Sequence, residues 1–303
     1  MISSVFLGTP AASIPSLRAL AAGTELRLVV TRPDSPRGRS GRARPSPVKV
    51  AAESLGIPVA APASRLELQE TLAGMAPLDV GLVAAFGMIL SPGALTVPAS
   101  GFLNVHFSLL PRWRGAAPVE RAILSGDATT GVSLMAMDEG LDTGPVVAAE
   151  AVAIGETETG GELTDRLAEL GGDLVTRHLA DFVRGRLTPT PQPSDGVTYA
   201  HRITTDEANL KATSPSTVLL RAVRAFSPRP GARFANGRLK VWRACATDLA
   251  REDPGRLFLE GDLLCMGTGD RPIALLEVQA PGGRRMDGAA WARGHRSDLG
   301  SLA

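Results

Sequence analysis

The chain has 303 residues, 44% hydrophobic and 21% charged, with a formal net charge of +1, values that suit a folded globular protein with room for two domains. No segment reaches the roughly 18 uninterrupted apolar residues of a membrane span, and the start MISSVFLGTP lacks the basic head and long apolar stretch of a signal peptide, so a cytoplasmic protein is expected. Cys245 and Cys265 have neither zinc-site spacing nor the number for a disulfide framework and are expected as buried free thiols.

The first half alternates short apolar runs with helical patterns. SVFLG from Ser4 and LRLVVT (Leu26 to Thr31) read as strands, with an alanine- and leucine-rich helix between them. A basic loop follows: Arg32, Arg37, Arg39, Arg42, Arg44 and Lys49 stand against the single acid Asp34. Within it, Ser46 and Pro47 form an N-cap and N1 pair that opens a helix toward Leu55. LDVGLVAAF (Leu78 to Phe86) reads as a strand buried on both faces and GFLNVH (Gly101 to His106) as another, before a helix over about Ala116 to Leu124. GVSLMAM and VVAAEAVAI add two strands, and Leu163 to Arg184 is a long amphipathic helix. Strand and helix repeated this way predict an α/β, Rossmann-like domain over residues 1–185 with a mostly parallel sheet covered on both faces. Ligands in such sheets sit at the carboxyl ends of the strands, where Phe86, His106 and Met137 all fall.

Beyond Arg184 the texture changes. RLTPTPQPSDG (Arg186 to Gly196) is proline-rich and poor in apolar residues, which predicts a semi-rigid linker over 186–203. Ser214 and Pro215 then open a short helix with Val218, Leu219, Ala222, Val223 and Phe226 on one face. Five short alternating runs follow (ARF, LKVWRACA, GRLFLEG, LLCMGTG and RPIALLEVQA), the first two joined by Asn236-Gly237, a hairpin signal. Residues 204–303 are therefore expected to form a small OB-like β-barrel, a fold that often holds nucleic acid. Arg221 to Arg243 carries seven basic residues and no acid, so with the loop Arg32 to Lys49 the chain has two basic segments in an otherwise net-acidic sequence. Such asymmetry suits a polyanionic partner; two solvated arginine faces would also produce it.

Several chemistries find no support. The first strand ends in GTP rather than Gly-x-Gly-x-x-Gly, there is no P-loop signature, and the four histidines form no His-x-x-x-His pair. What remains is Asn104 and His106, two apart in a strand and so projecting from one face at its end. An amide and an imidazole there suit a carbonyl oxygen that gains charge under nucleophilic attack. Taken alone, the pair fits an Asn and a His that merely satisfy loop backbone. In the loop DEGLDTGPV, Asp142 is favoured over Asp138 as a carboxylate that fixes the imidazole tautomer or holds a water for proton transfer.

Together NVHFSLLPRWRGAAPVERAIL, MDEGLDTGPV, GTP after the first strand and PSPVKV, placed in order across nearly the whole chain, resemble the folate-dependent formyltransferases. The resemblance implies formyl transfer from 10-formyltetrahydrofolate to the α-amino group of methionine on initiator tRNA, with no metal, no membrane and no obligate protein partner. It carries a catalytic trio onto Asn104, His106 and Asp142. Folate contacts are implied at Ser108, Leu109, Leu110 and Pro111, and beside the pterin at Phe86, Gly87, Met88, Ile89 and Leu90. It also carries tRNA contacts onto Arg37, Arg39, Arg42, Arg44 and Lys49, with Arg221 to Arg243 following the RNA backbone. Phe107 stands where the family commonly has glycine, which predicts a reshaped pocket beside His106. Two other readings stay open: a formyltransferase acting on a small amine, such as glycinamide ribonucleotide or an amino-sugar nucleotide, and a non-catalytic RNA-binding protein on this scaffold.

Overall fold

The computed structural model describes residues 1–36, 43–295 and 299–302. Arg37, Arg39 and Arg42 lie outside the described residues. The described chain falls into two compact units: 1–115 with 130–152 and 164–200, and 116–129 with 153–163 and 201–303.

The first unit is built on a seven-stranded sheet. Its strands are Ser3–Gly8 (β1), Glu25–Val30 (β2), Val59–Ala60 (β3), Val80–Ala84 (β4), Phe102–His106 (β5), Thr129–Ala136 (β6) and Val146–Ala153 (β7), in the order β7-β6-β5-β4-β1-β2-β3. β1 runs parallel to β2 and β4, β2 to β3 and β4 to β5, while β6 runs antiparallel to β5. The expected mostly parallel sheet is therefore present. β4 is buried throughout, which explains its unbroken apolar run. From β1 the chain steps outward through β2 and β3, then returns to the other side of β1 at β4. That reversal leaves a crevice beyond the carboxyl ends of β1 and β4, where doubly wound sheets bind ligands. Val5, Leu7, Val30, Leu68, Leu72, Leu78, Val83, Phe86, Leu90 and Phe102 form one apolar cluster, with Met88 and Met137 packed against it.

Local capping follows the sequence closely. The helix Pro47–Ser54 begins with Ser46 as N-cap, its hydroxyl accepting from the Lys49 amide. The long helix spans Gly160–Val183 and so starts one turn earlier than its apolar pattern indicates. A capping box explains the extension: the Thr159 amide and hydroxyl donate to Glu162, whose own amide donates back to Thr159. These bonds hold the Glu162 carboxyl below its ordinary range. The proline-rich stretch is more than a tether. Thr190 and Val146 exchange backbone hydrogen bonds, and Tyr199–Ala200 pairs in parallel with Arg114–Gly115.

The second unit contains an antiparallel six-stranded sheet of Ala232–Phe234, Leu239–Ala246, Leu257–Glu260, Leu263–Met266, Ile273–Gln279 and Met286–Asp287. The first two strands are a hairpin, turning through Ala235–Gly237 as Asn-Gly predicts. Register shifts between Val241 and Ala244 bend the second strand, the device by which a small sheet curls into an OB-like module. The helix Ser216–Ala225 buries Leu219, Ala222 and Val223, followed by buried Phe226, but Val218 is 49% exposed rather than on the buried face. Ser214 does not cap it; Asp270 Oδ1 accepts from the Ser216 amide instead, at 2.7 Å. Cys265 is buried and its thiol is pushed up to about 11 by that burial, whereas Cys245 is only half-buried. Among the described residues no helix is long and apolar enough to cross a membrane.

Candidate active site

Asn104 and His106 end β5, and the pairing of Val83 with Asn104 puts them beside the end of β4. His106 is buried and Asn104 half-buried. Their shared face meets the loop after β6. The Asn104 amide donates to Asp142 Oδ1 at 3.3 Å, and His106 Nδ1 lies 3.7 Å from Asp142 Oδ2. The three residues the resemblance singles out thus converge, and Asp142, not Asp138, is the carboxylate against the imidazole. Asp138 serves its own loop, accepting from the Gly140 amide and the Thr143 hydroxyl.

Two backbone groups complete the cluster. His106 Nε2 donates to the Trp113 carbonyl at 2.8 Å, so that carbonyl, rather than Asp142, selects the ring tautomer. The Gly115 amide donates to Asp142 Oδ2 at 2.8 Å. Both groups are aimed by unusual backbone: φ is 62° at Trp113 and 118° at Gly115. A side chain at Gly115 would be strained at that φ, and its Cβ would fall 2.9 Å from the Ala200 carbonyl oxygen. Asp142 itself has φ of 52°, a left-handed conformation that aspartate tolerates better than most residues. The RWRG run is thus a backbone device, and its side chains point to other partners. The Arg112 guanidinium lies 4.5 Å over the Trp113 ring, and Arg114 bonds Gln192.

The expected folate segments divide by exposure. Ser108 is fully buried; its hydroxyl donates to the Arg112 carbonyl, and its carbonyl accepts from Ser133. Ser133 Oγ also accepts from the Leu110 amide, so Ser108 to Pro111 is a braced turn. Leu110 borders a cavity of about 330 Å³ together with Val146, Thr190 and Gln192. In the second segment Phe86 and Leu90 are buried, Met88 is half-buried and Ile89 is 63% exposed. The bend at Ala85 and Gly87, with φ of 46° and 78°, is pinned by the Thr9 hydroxyl on the Phe86 carbonyl and the Ser13 hydroxyl on the Ala84 carbonyl. Thr9 gives the GTP after β1 a physical role that the motif alone does not supply. The ring edge of Phe107 lies near Gly171 of the long helix, where Val105 also packs.

Of the basic residues described in the first loop, Arg44 is exposed in a two-residue ladder with Ser35–Pro36, and Lys49 is paired with Asp34 at 3.0 Å. In the second segment Arg221 and Arg224 bond the Ser125 and Gly155 carbonyls, and Arg243 pairs with Glu162. Arg285 and Lys240 lie over the Trp242 ring, at 3.6 and 5.5 Å.

Residues 7–179 match a family model described as formyl transferase, and residues 202–296 match one described as formyl transferase, C-terminal domain. The methionyl-tRNA formyltransferase of Halorhodospira halophila is 46% identical over 300 residues, covering 96% of each chain. That of Methylobacterium sp. strain 4-46 is 45% identical over 306 residues, covering 98% of this chain and 97% of its own. An N-formyltransferase from Helicobacter canadensis, solved with folinic acid and dTDP-3-aminofucose, shares the fold at a TM-score of 0.69 and 18% identity, covering 91% of this chain and 99% of that one.

Proposed function

The chain belongs to the formyl transferase family, and on that premise we propose that it transfers the formyl group of 10-formyltetrahydrofolate to the α-amino group of methionine on initiator tRNA, for translation initiation. The observation that carries this reading is the meeting of Asn104, His106 and Asp142 at the end of β5 in a chain that also holds the family's C-terminal domain. The full-length similarity to methionyl-tRNA formyltransferases supports the acceptor over a small amine.

The chemistry needs little from a base. A free α-amine has a pKa of about 7.7–8.0, so roughly a tenth is already the neutral nucleophile near pH 7. Attack on the formyl carbon makes a C–N bond and a tetrahedral oxyanion; collapse breaks the bond to folate N10, with one proton lost by the amine and one gained by N10. Asn104 keeps a second amide hydrogen beyond the one given to Asp142, and this stabilises the oxyanion. His106 is held at Nε2 by the Trp113 carbonyl, which leaves Nδ1 to relay the proton. Asp142 Oδ2 faces that nitrogen at 3.7 Å.

The donor lies against Phe86 to Leu90 and Ser108 to Pro111. Residues 1–185 are the formyltransferase domain, joined through 186–203 to a tRNA-holding domain over 204–303. Arg37, Arg39, Arg42, Arg44 and Lys49 reach the tRNA acceptor stem, giving affinity and salt dependence rather than base readout. The site of action is the cytoplasm. Incubation with 10-formyltetrahydrofolate and methionyl-initiator tRNA is expected to yield formylmethionine on the tRNA, read by the mass of the released amino acid; unmodified methionine would contradict the proposal.

A further inference from the structure

Among exposed neighbours in the proline-rich stretch, Gln192 is half-buried and turned inward. Its amide Nε2 donates to the Asp142 carbonyl at 2.9 Å and to the Gly144 carbonyl at 2.7 Å. Its Oε1 accepts from Arg114 Nε and from a terminal guanidinium nitrogen, at 3.0 and 2.6 Å. Both hydrogens and both lone pairs of the carboxamide are thus used, a full complement that fixes its orientation.

The two segments joined this way are those that build the catalytic cluster. Arg114 lies between Trp113, whose carbonyl holds His106 Nε2, and Gly115, whose amide holds Asp142 Oδ2. On the other side, Gln192 grips the backbone of Asp142 itself, at a residue whose φ of 52° is disfavoured without outside support. We propose that Gln192 is a positioning residue for formyl transfer: its carboxamide locks the 113–115 and 142–144 segments together and so sets the distance between Asp142 and His106. The rate consequence rests on the formyl-transfer reading above; the geometric one does not. A displacement of about 1 Å in such a cluster can cost up to about a hundredfold in rate.

Two substitutions separate positioning from simple bracing. Gln192→Glu keeps the acceptor and forms an ion pair with Arg114, but it cannot donate to the two carbonyls. Gln192→Ala removes everything. Both are expected to lower kcat by about tenfold or more, with KM for folate and for tRNA within about twofold of wild type, while Gln192→Glu melts no lower than wild type. Pro193→Ala, in the same stretch, should leave kcat unchanged. In parallel, ¹⁵N NMR of the imidazoles, of which the chain has four, should show the His106 ring losing its dominant Nε2–H tautomer in both Gln192 variants. An unaltered His106 spectrum with kcat within twofold in Gln192→Glu would overturn the proposal, even if Gln192→Ala failed to fold. Should the wild-type protein formylate no tRNA while the His106 spectrum still responds to Gln192, the functional reading falls and the positioning role stands.

Discussion

At the scale of single residues, His106 is oriented by a neighbour that no side-chain motif reveals. The residue two positions before it, Asn104, shares its face because strands alternate, and that much is readable from Asn-x-His. The Trp113 carbonyl and the Gly115 amide carry no side-chain signature; only the left-handed and glycine-specific backbone aims them. Gln192 is harder still, since it lies 50 residues from Asp142 and 78 from Arg114 in a stretch without periodicity. A second residue of note is Glu120, whose carboxyl is pushed above its ordinary range by burial. A raised carboxylate value means the folded state binds a proton that the unfolded state releases, so its penalty grows as pH rises through the carboxylate range and is fully present above the raised value. Glu120→Gln is therefore expected to raise the urea midpoint at pH 7, with the gain shrinking toward pH 4. A gain that grows on acidification would contradict this.

Elements are legible where a pattern and a cap coincide. Ser46-Pro47 marks the start of a helix to the residue, and Asn236-Gly237 marks a hairpin, because each local signal agrees with the apolar run beside it. The early start of the helix Gly160–Val183 escapes the apolar pattern because its first turn is glycine-rich, although Thr159 and Glu162 spell the capping box that extends it. Val218 escapes it because, at about 100° per residue, it lies at the edge of the stripe that Leu219, Ala222, Val223 and Phe226 form, where it is 49% exposed. Ser46 also bonds the buried Thr31 hydroxyl at 2.7 Å. Ser46→Ala should thus cost about 1–2 kcal/mol, the missing cap adding to an orphaned hydroxyl. Denaturant unfolding checks it, and a cost within about 0.3 kcal/mol would mean the cap is dispensable.

At the scale of the molecule, the charge distribution is the readable sign of a polyanionic partner, and the fold narrows where that partner would bind. Arg221, Arg224 and Arg243 each bond groups within the second unit, which lowers their standing as free phosphate ligands. Arg44, by contrast, is exposed at the base of the first basic loop. Replacing Arg37, Arg39, Arg42 and Arg44 with alanine is expected to weaken tRNA binding and to flatten the dependence of log affinity on log salt by about 0.9 for each phosphate no longer neutralised. An unchanged slope would move the RNA-binding surface elsewhere. The chemistry assigned to the end of β5 is tested most directly by the single-turnover rate of formyl transfer to methionyl-initiator tRNA in His106→Ala, with tRNA affinity measured on the same protein. The rate should fall by roughly 10²-fold or more while affinity stays unchanged; turnover near that of the wild type would contradict the role given to His106.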